Sequence, residues 1–110
     1  MKLQAVLDLP VCKVLVKGDP KRELSKVFCC DLLSIAMGRA PENGVWVTVM
    51  GNKNTLAVAA LTDIACIILA EGVALDEGTL RQAESEGIAI LATELPVFDM
   101  ALEVYKAGLS

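Results

Sequence analysis

The sequence predicts an α/β fold: one domain with a mainly parallel, mixed sheet and flanking helices. Three observations predict it. Apolar residues make up 55% of the 110 residues while aromatics make up only 4%, so the core must be assembled from Val, Leu, Ile and Ala, which suits helices packed closely on a sheet. Through the second half, short apolar runs alternate with segments of helical character, the pattern of a βαβαβα unit with parallel strands and right-handed crossovers. Cap residues stand where this phasing needs them: Asp76 before a helix, Gly87 after it, Pro96 at the first turn of another and Gly108 beyond its end.

A short helix over Lys2–Leu7 is expected first, then a strand over Cys12–Val16 and a turn around KGDPKR. A second strand spans Val27–Cys30, and Asp31 is expected to cap a short helix over Leu32–Gly38. The loop RAPEN leads to a strand over Gly44–Met50, and the turn that follows leads to a helix over Asn54–Leu61. That helix is apolar on every side after Thr55, which predicts the most buried helix of the set. Next come a strand over Ala65–Ala70, a helix over Glu77–Glu86, a strand over Ile88–Ala92 and a helix over Val97–Ala107. The helix at 77–86 offers only Leu80 and Ala83 among polar residues and belongs outermost. In the last helix Phe98, Ala101, Leu102 and Tyr105 recur at i, i+3, i+4 and i+7, one apolar stripe expected to meet the core. No linker, repeat or low-complexity segment divides the chain, so residues 1–110 read as a single domain.

Charge and composition remove several classes of function. The net charge is −4, and the ten Lys and Arg are scattered, so no broad nucleic-acid or anionic-membrane surface is expected. The group Lys17, Lys21, Arg22 and Lys26 is interleaved with Asp19 and Glu23 and reads as a solvated loop. The most apolar region, Leu56 to Leu75, is interrupted by Thr62, Asp63, Glu71 and Gly72, and so lacks the ~20 apolar residues of a membrane span. Asp8 and Pro10 break the first segment, MKLQAVLDLPVC, which argues against a secretory signal and for the cytoplasm. There Cys12, Cys29, Cys30 and Cys66 are expected to stay reduced, each a small hydrophobe in an apolar run. Adjacent Cys29 and Cys30 point to opposite faces of a strand and cannot jointly hold a metal. The chain contains no His, so neither a Ser-His-Asp arrangement nor a His-bearing metal site can exist. GxxxxGK[ST] and GxGxxG are both missing, and no cofactor or catalytic template is expected.

Parallel-sheet geometry nominates one region. Ligands bind beyond the carboxyl ends of such strands, which here are MGNKN (50–54), AEG (70–72) and TE (93–94). If the strands are neighbours, Gly51, Asn52, Lys53, Asn54, Thr55, Glu71, Gly72, Thr93 and Glu94 line a common rim. Lys53 would meet a small anion there, assisted by amides at the start of the helix. The alternative is structural: Asn52 or Asn54 caps the helix, Gly51 supplies a permissive backbone angle, and Lys53 pairs with Glu71 or Glu94.

The chain also resembles a family. An SDLLS-like turn into a helix (Cys30–Ser34 here), a W-x-T strand at Trp46–Thr48, an N-x-x-A-V-A helix at Asn54–Ala59 and the run LDEGTLRQAESEGIAILAT (75–93) are similar to the stand-alone DRTGG-domain proteins of bacteria and archaea. The resemblance implies a fold like the N-terminal domains of HPr kinase/phosphorylase and of MurF-type ligases. It also implies a regulatory or dimer-forming module, since such domains accompany CBS domains in some inorganic pyrophosphatases. On this resemblance the family's Asp-Arg falls at Asn52-Lys53 and its Thr-Gly-Gly at Ala70-Glu71-Gly72, so only Gly72 is retained. The expectation is a non-enzymatic, homodimeric regulatory domain that recognises a partner protein or a small ligand. The alternative is a sensor of a small anion or nucleotide at the rim around Lys53 and Gly72.

Overall fold

The structure, a computed structural model, describes residues 1–109. Among them lie five helices and five strands, in the order α1 (Leu3–Leu7), β1 (Lys13–Val16), β2 (Val27–Cys29), α2 (Leu33–Arg39), β3 (Val45–Thr48), α3 (Lys53–Thr62), β4 (Cys66–Leu69), α4 (Glu77–Glu86), β5 (Ala89–Ala92) and α5 (Val97–Lys106). These spans agree with the sequence-based elements to within two residues. The strands form one sheet in the order β1-β5-β4-β3-β2, with β2 to β5 parallel and β1 antiparallel on the edge.

Strand alternation divides the core into two layers. Val45, Val47, Cys66, Ile68, Ala89 and Leu91 face Leu3 and Val6 of α1 and Met100 and Val104 of α5. Trp46, Ile67, Leu69 and Ile90 point the other way, onto Ala36 of α2, Leu56 and Ala59 of α3, and Ala83 of α4. β3 and β4 are buried along their whole length, which is why their sequences are continuous apolar runs rather than alternating ones. At the opposite end of the sheet, Arg22 donates to Asn43 Oδ1 and to the carbonyl and carboxylate of Asp63, locking two residues of left-handed backbone where β3 and β4 begin.

Four expectations are corrected. Asp31 does not cap α2, whose N-cap is Leu32 with no side-chain bond; its carboxylate instead accepts from Thr48 Oγ1 and the Val49 amide, tying the end of β2 to the end of β3. α3 is not the most buried helix: of its ten residues Thr55, Leu56 and Ala59 are buried while Ala57, Ala60 and Leu61 face solvent, whereas α1 buries Leu3, Val6 and Leu7 of five. In α5 the face that meets the sheet is Met100 and Val104, while Phe98, Leu102 and Tyr105 lie outside. Cys29 is exposed on edge strand β2 rather than packed; Cys66 is buried, and Cys12 and Cys30 are half-buried. α4 uses Ala83 and Thr79 as its buried residues, with Leu80 half-covered.

Candidate functional site

The carboxyl ends of the parallel strands carry an open cleft of about 390 Å³. Its position follows from the sheet order: antiparallel β1 begins where β5 ends, so Pro10–Lys13 form one wall, and Gly72, Val73 and Ala92–Glu94 form the other. The floor is a lattice of backbone hydrogen bonds. Ala70–Val73 is a tight turn closed by Val73 N–H to the Ala70 carbonyl, with Glu71 at φ 60° and Gly72 at φ 69°. The Glu71 and Gly72 amides donate to the carbonyls of Leu95 and Thr93, and the Thr93 amide donates to that of Leu69. Thr93, 5% exposed, donates its hydroxyl to the Val11 carbonyl and accepts from the Leu95 amide. One buried threonine thus holds the loop before β1, the end of β5 and the approach to α5 together.

Glycine is favoured at position 72 by its left-handed backbone, and the Glu94 carboxylate lies across the space that a Cβ would fill. The charged residues that line the cleft are Lys13 on one wall and Glu94 on the other, with the 72–73 turn between them. Cys12 lines the same wall with its thiol directed at Met100 Sδ, 3.5 Å away, and burial pushes its pKa up to about 11. It is a protonated thiol at neutral pH and a poor nucleophile.

The rim expected from sequence is divided. Gly72, Thr93 and Glu94 come together at the cleft. Gly51, Asn52 and Thr55 instead border a small apolar recess of about 10 Å³, walled by Leu56, Leu75 and Thr79 and too small for a ligand. Between the two runs the 73–76 segment, which packs on Gly51: a Cβ there would meet the Ala74 carbonyl oxygen at 3.1 Å and Leu69 and Val73 at 3.3 Å. Close approach, rather than a permissive backbone angle, is what favours glycine at 51. Asn52 caps α3, its Oδ1 accepting from the Thr55 amide at 3.0 Å. Asn54 and Lys53 are exposed on the first turn of α3, and Glu71 is exposed on its turn. Among the described residues Lys53 forms no ion pair with Glu71 or Glu94; its side chain lies beside Gly78 at the start of α4. Lys13 and the Pro10–Cys12 wall were not marked by sequence, because nothing local to Cys12–Val16 signals which strand it pairs with.

Asp76 caps α4, accepting from the Thr79 hydroxyl at 2.6 Å and the Thr79 amide at 3.0 Å. The Thr79 hydroxyl bond foremost, then the amide, with Lys53 contributing, holds the Asp76 carboxyl below its ordinary value of 3.8. Its folded pKa is therefore lower than its unfolded one. The stabilisation is complete above the unfolded value and is lost as pH falls through the folded value. Asp76→Asn retains a capping oxygen but cannot titrate, so its thermal midpoint is expected to fall less than that of the native chain as pH drops below about 4. Parallel calorimetric scans of the two proteins from neutral to acid pH check this.

Among the described residues no three of Cys, Asp and Glu are grouped to hold a metal. Nor is any helix long and apolar enough to cross a membrane.

Residues 8–107 match the DRTGG domain. The chain belongs to the DRTGG domain family. A solved structure similar to this DRTGG chain is the crystal structure of the CBS and DRTGG domains of the regulatory region of Clostridium perfringens pyrophosphatase, complexed with its activator, diadenosine tetraphosphate. The TM-score is 0.74 over 96% of this chain, at 13% sequence identity, a likeness of fold. The DRTGG chain spans 46% of that neighbour's length. No curated protein matches it.

Proposed function

We propose that this DRTGG domain is a non-enzymatic regulatory module of the cytoplasm that binds a small phosphorylated ligand, a nucleotide foremost, in the cleft between the start of β1 and the ends of β4 and β5. The observation that carries the reading is the cleft itself: ligand-sized, at the carboxyl ends of parallel strands, with a floor already fixed by backbone hydrogen bonds. A preformed floor lowers the ordering cost of binding. In this reading the Lys13 ammonium meets phosphate, and the Glu94 carboxylate accepts from ribose hydroxyls, the role that an acidic residue plays in many nucleotide sites. The nucleotide bound by the pyrophosphatase regulatory region adds support for this ligand class.

Titration calorimetry with AMP, ATP and diadenosine tetraphosphate tests it. At least one is expected to bind, and Lys13→Glu is expected to weaken that binding by about tenfold or more, as reversal of a direct phosphate contact should. Lys53→Ala is expected to leave it unchanged. Loss of binding in Lys53→Ala with Lys13→Glu unaffected would move the site to the start of α3, and no binding of any of the three would remove the nucleotide reading.

A further inference from the structure

α5 has two apolar faces, and only one is covered. Met100 and Val104 are fully buried against the sheet, whereas Phe98 is 72%, Tyr105 58% and Leu102 36% exposed. These three lie at i, i+4 and i+7, a single row along the outer face. One border of the row carries Asp99 in the first turn and Lys106 in the last, with Glu103 farther round the helix. Together with Leu95 and Leu102 they edge an open groove of about 320 Å³ alongside the row.

We propose that this face joins two copies of the chain, α5 packing antiparallel on α5 about a twofold axis near Leu102. The occupant follows from the pattern of charge. When two identical helices pack antiparallel, the same border of each faces the other, and residues equidistant from the axis stand opposite. Leu102 then meets Leu102, Phe98 of each copy lies near Tyr105 of the other, and Asp99 of each copy faces Lys106 of the other, twice by symmetry. A parallel pair would set the charged border against the Val97 and Ala101 border and match no charges. The row is thus self-complementary in one orientation, in apolar character and in sign. This surface is on the opposite side of the sheet from α2, α3 and α4, and the proposal does not depend on the ligand reading.

Sedimentation equilibrium of the full chain tests it. A dimer is expected at about 100 µM protein, weakening as salt is raised, as contacts with an ionic rim do. Leu102→Lys, and independently Phe98→Glu, are expected to give folded monomers with native circular dichroism. Asp99→Lys and Lys106→Asp, each placing like charges opposite one another twice, are expected to raise the dimer dissociation constant about tenfold, and the double variant to recover most of that loss. A native chain that stays monomeric at that concentration, a dimer that survives both apolar substitutions, or a double variant no better than the single ones would overturn the proposal.

Discussion

Replacing Trp46 with alanine is expected to lower folding stability by about 4 kcal/mol, a large fraction of the ~5–15 kcal/mol that holds a domain of this size. Trp46 is the sole tryptophan and is fully buried in central strand β3, flanked in register by Phe28 of β2 and Ile67 of β4. Its ring lies 6.3 Å from that of Phe28 at 55°, a tilted pair, and its indole N–H donates to the Cys30 carbonyl at 2.9 Å. The indole therefore fills the layer beneath α2 and α3 and pins the segment leaving β2. Alanine would leave a cavity there and remove the donor. Trp46→Phe keeps most of the volume and loses the hydrogen bond, so a cost of roughly 1–2 kcal/mol is expected. Urea denaturation followed by circular dichroism, with an unchanged m-value, would give both figures.

The second large effect is expected at Gly18, where Gly18→Ala should cost about 2–4 kcal/mol and lower the melting temperature by roughly 10 °C or more. Two costs add. Gly18 has φ 64°, a left-handed angle that alanine adopts with strain. Its missing Cβ would also lie 2.8 Å from Ala89 Cβ, 3.1 Å from Ala89 N and 3.2 Å from Ala89 Cα. Ala89 opens β5, which is paired on both sides and cannot retreat. Gly72 gives the useful contrast. It has a similar angle, but the group in the way is the flexible end of an exposed Glu94, so Gly72→Ala should cost only the backbone term, about 1 kcal/mol.

The parts of this molecule that were legible in sequence are those set by local chemistry. Asn52, Asp76 and Gly87 bound helices as their residue types require, and the buried strands β3 and β4 read as continuous apolar runs. What was not legible depended on choices between equal local patterns. In α5, Val97, Met100, Ala101 and Val104 repeat at i, i+3, i+4 and i+7 as regularly as Phe98, Ala101, Leu102 and Tyr105. Periodicity could not choose, and residue size pointed to the wrong stripe. In α3 the alanines misled, because a small apolar side chain left in water costs little and so marks neither face. Asp31 stands one residue too early to cap α2, and its use in joining β2 to β3 is a tertiary contact no local pattern contains. The candidate site was half-legible for the same reason. Gly72, Thr93 and Glu94 do lie together at the strand ends, but the packing of 73–76 onto Gly51 separates them from Gly51–Thr55, and the antiparallel placement of β1 brings Lys13 to a wall of the cleft.

The central claim, that this cleft is where the domain reads a ligand, is tested most directly by a heteronuclear NMR titration with diadenosine tetraphosphate. The account predicts saturable amide shifts concentrated at Val11–Lys13, Gly72–Val73 and Thr93–Glu94, with α2 and the outer face of α5 unchanged. Shifts confined to Lys53–Thr55, or no saturable shifts at all, would contradict it.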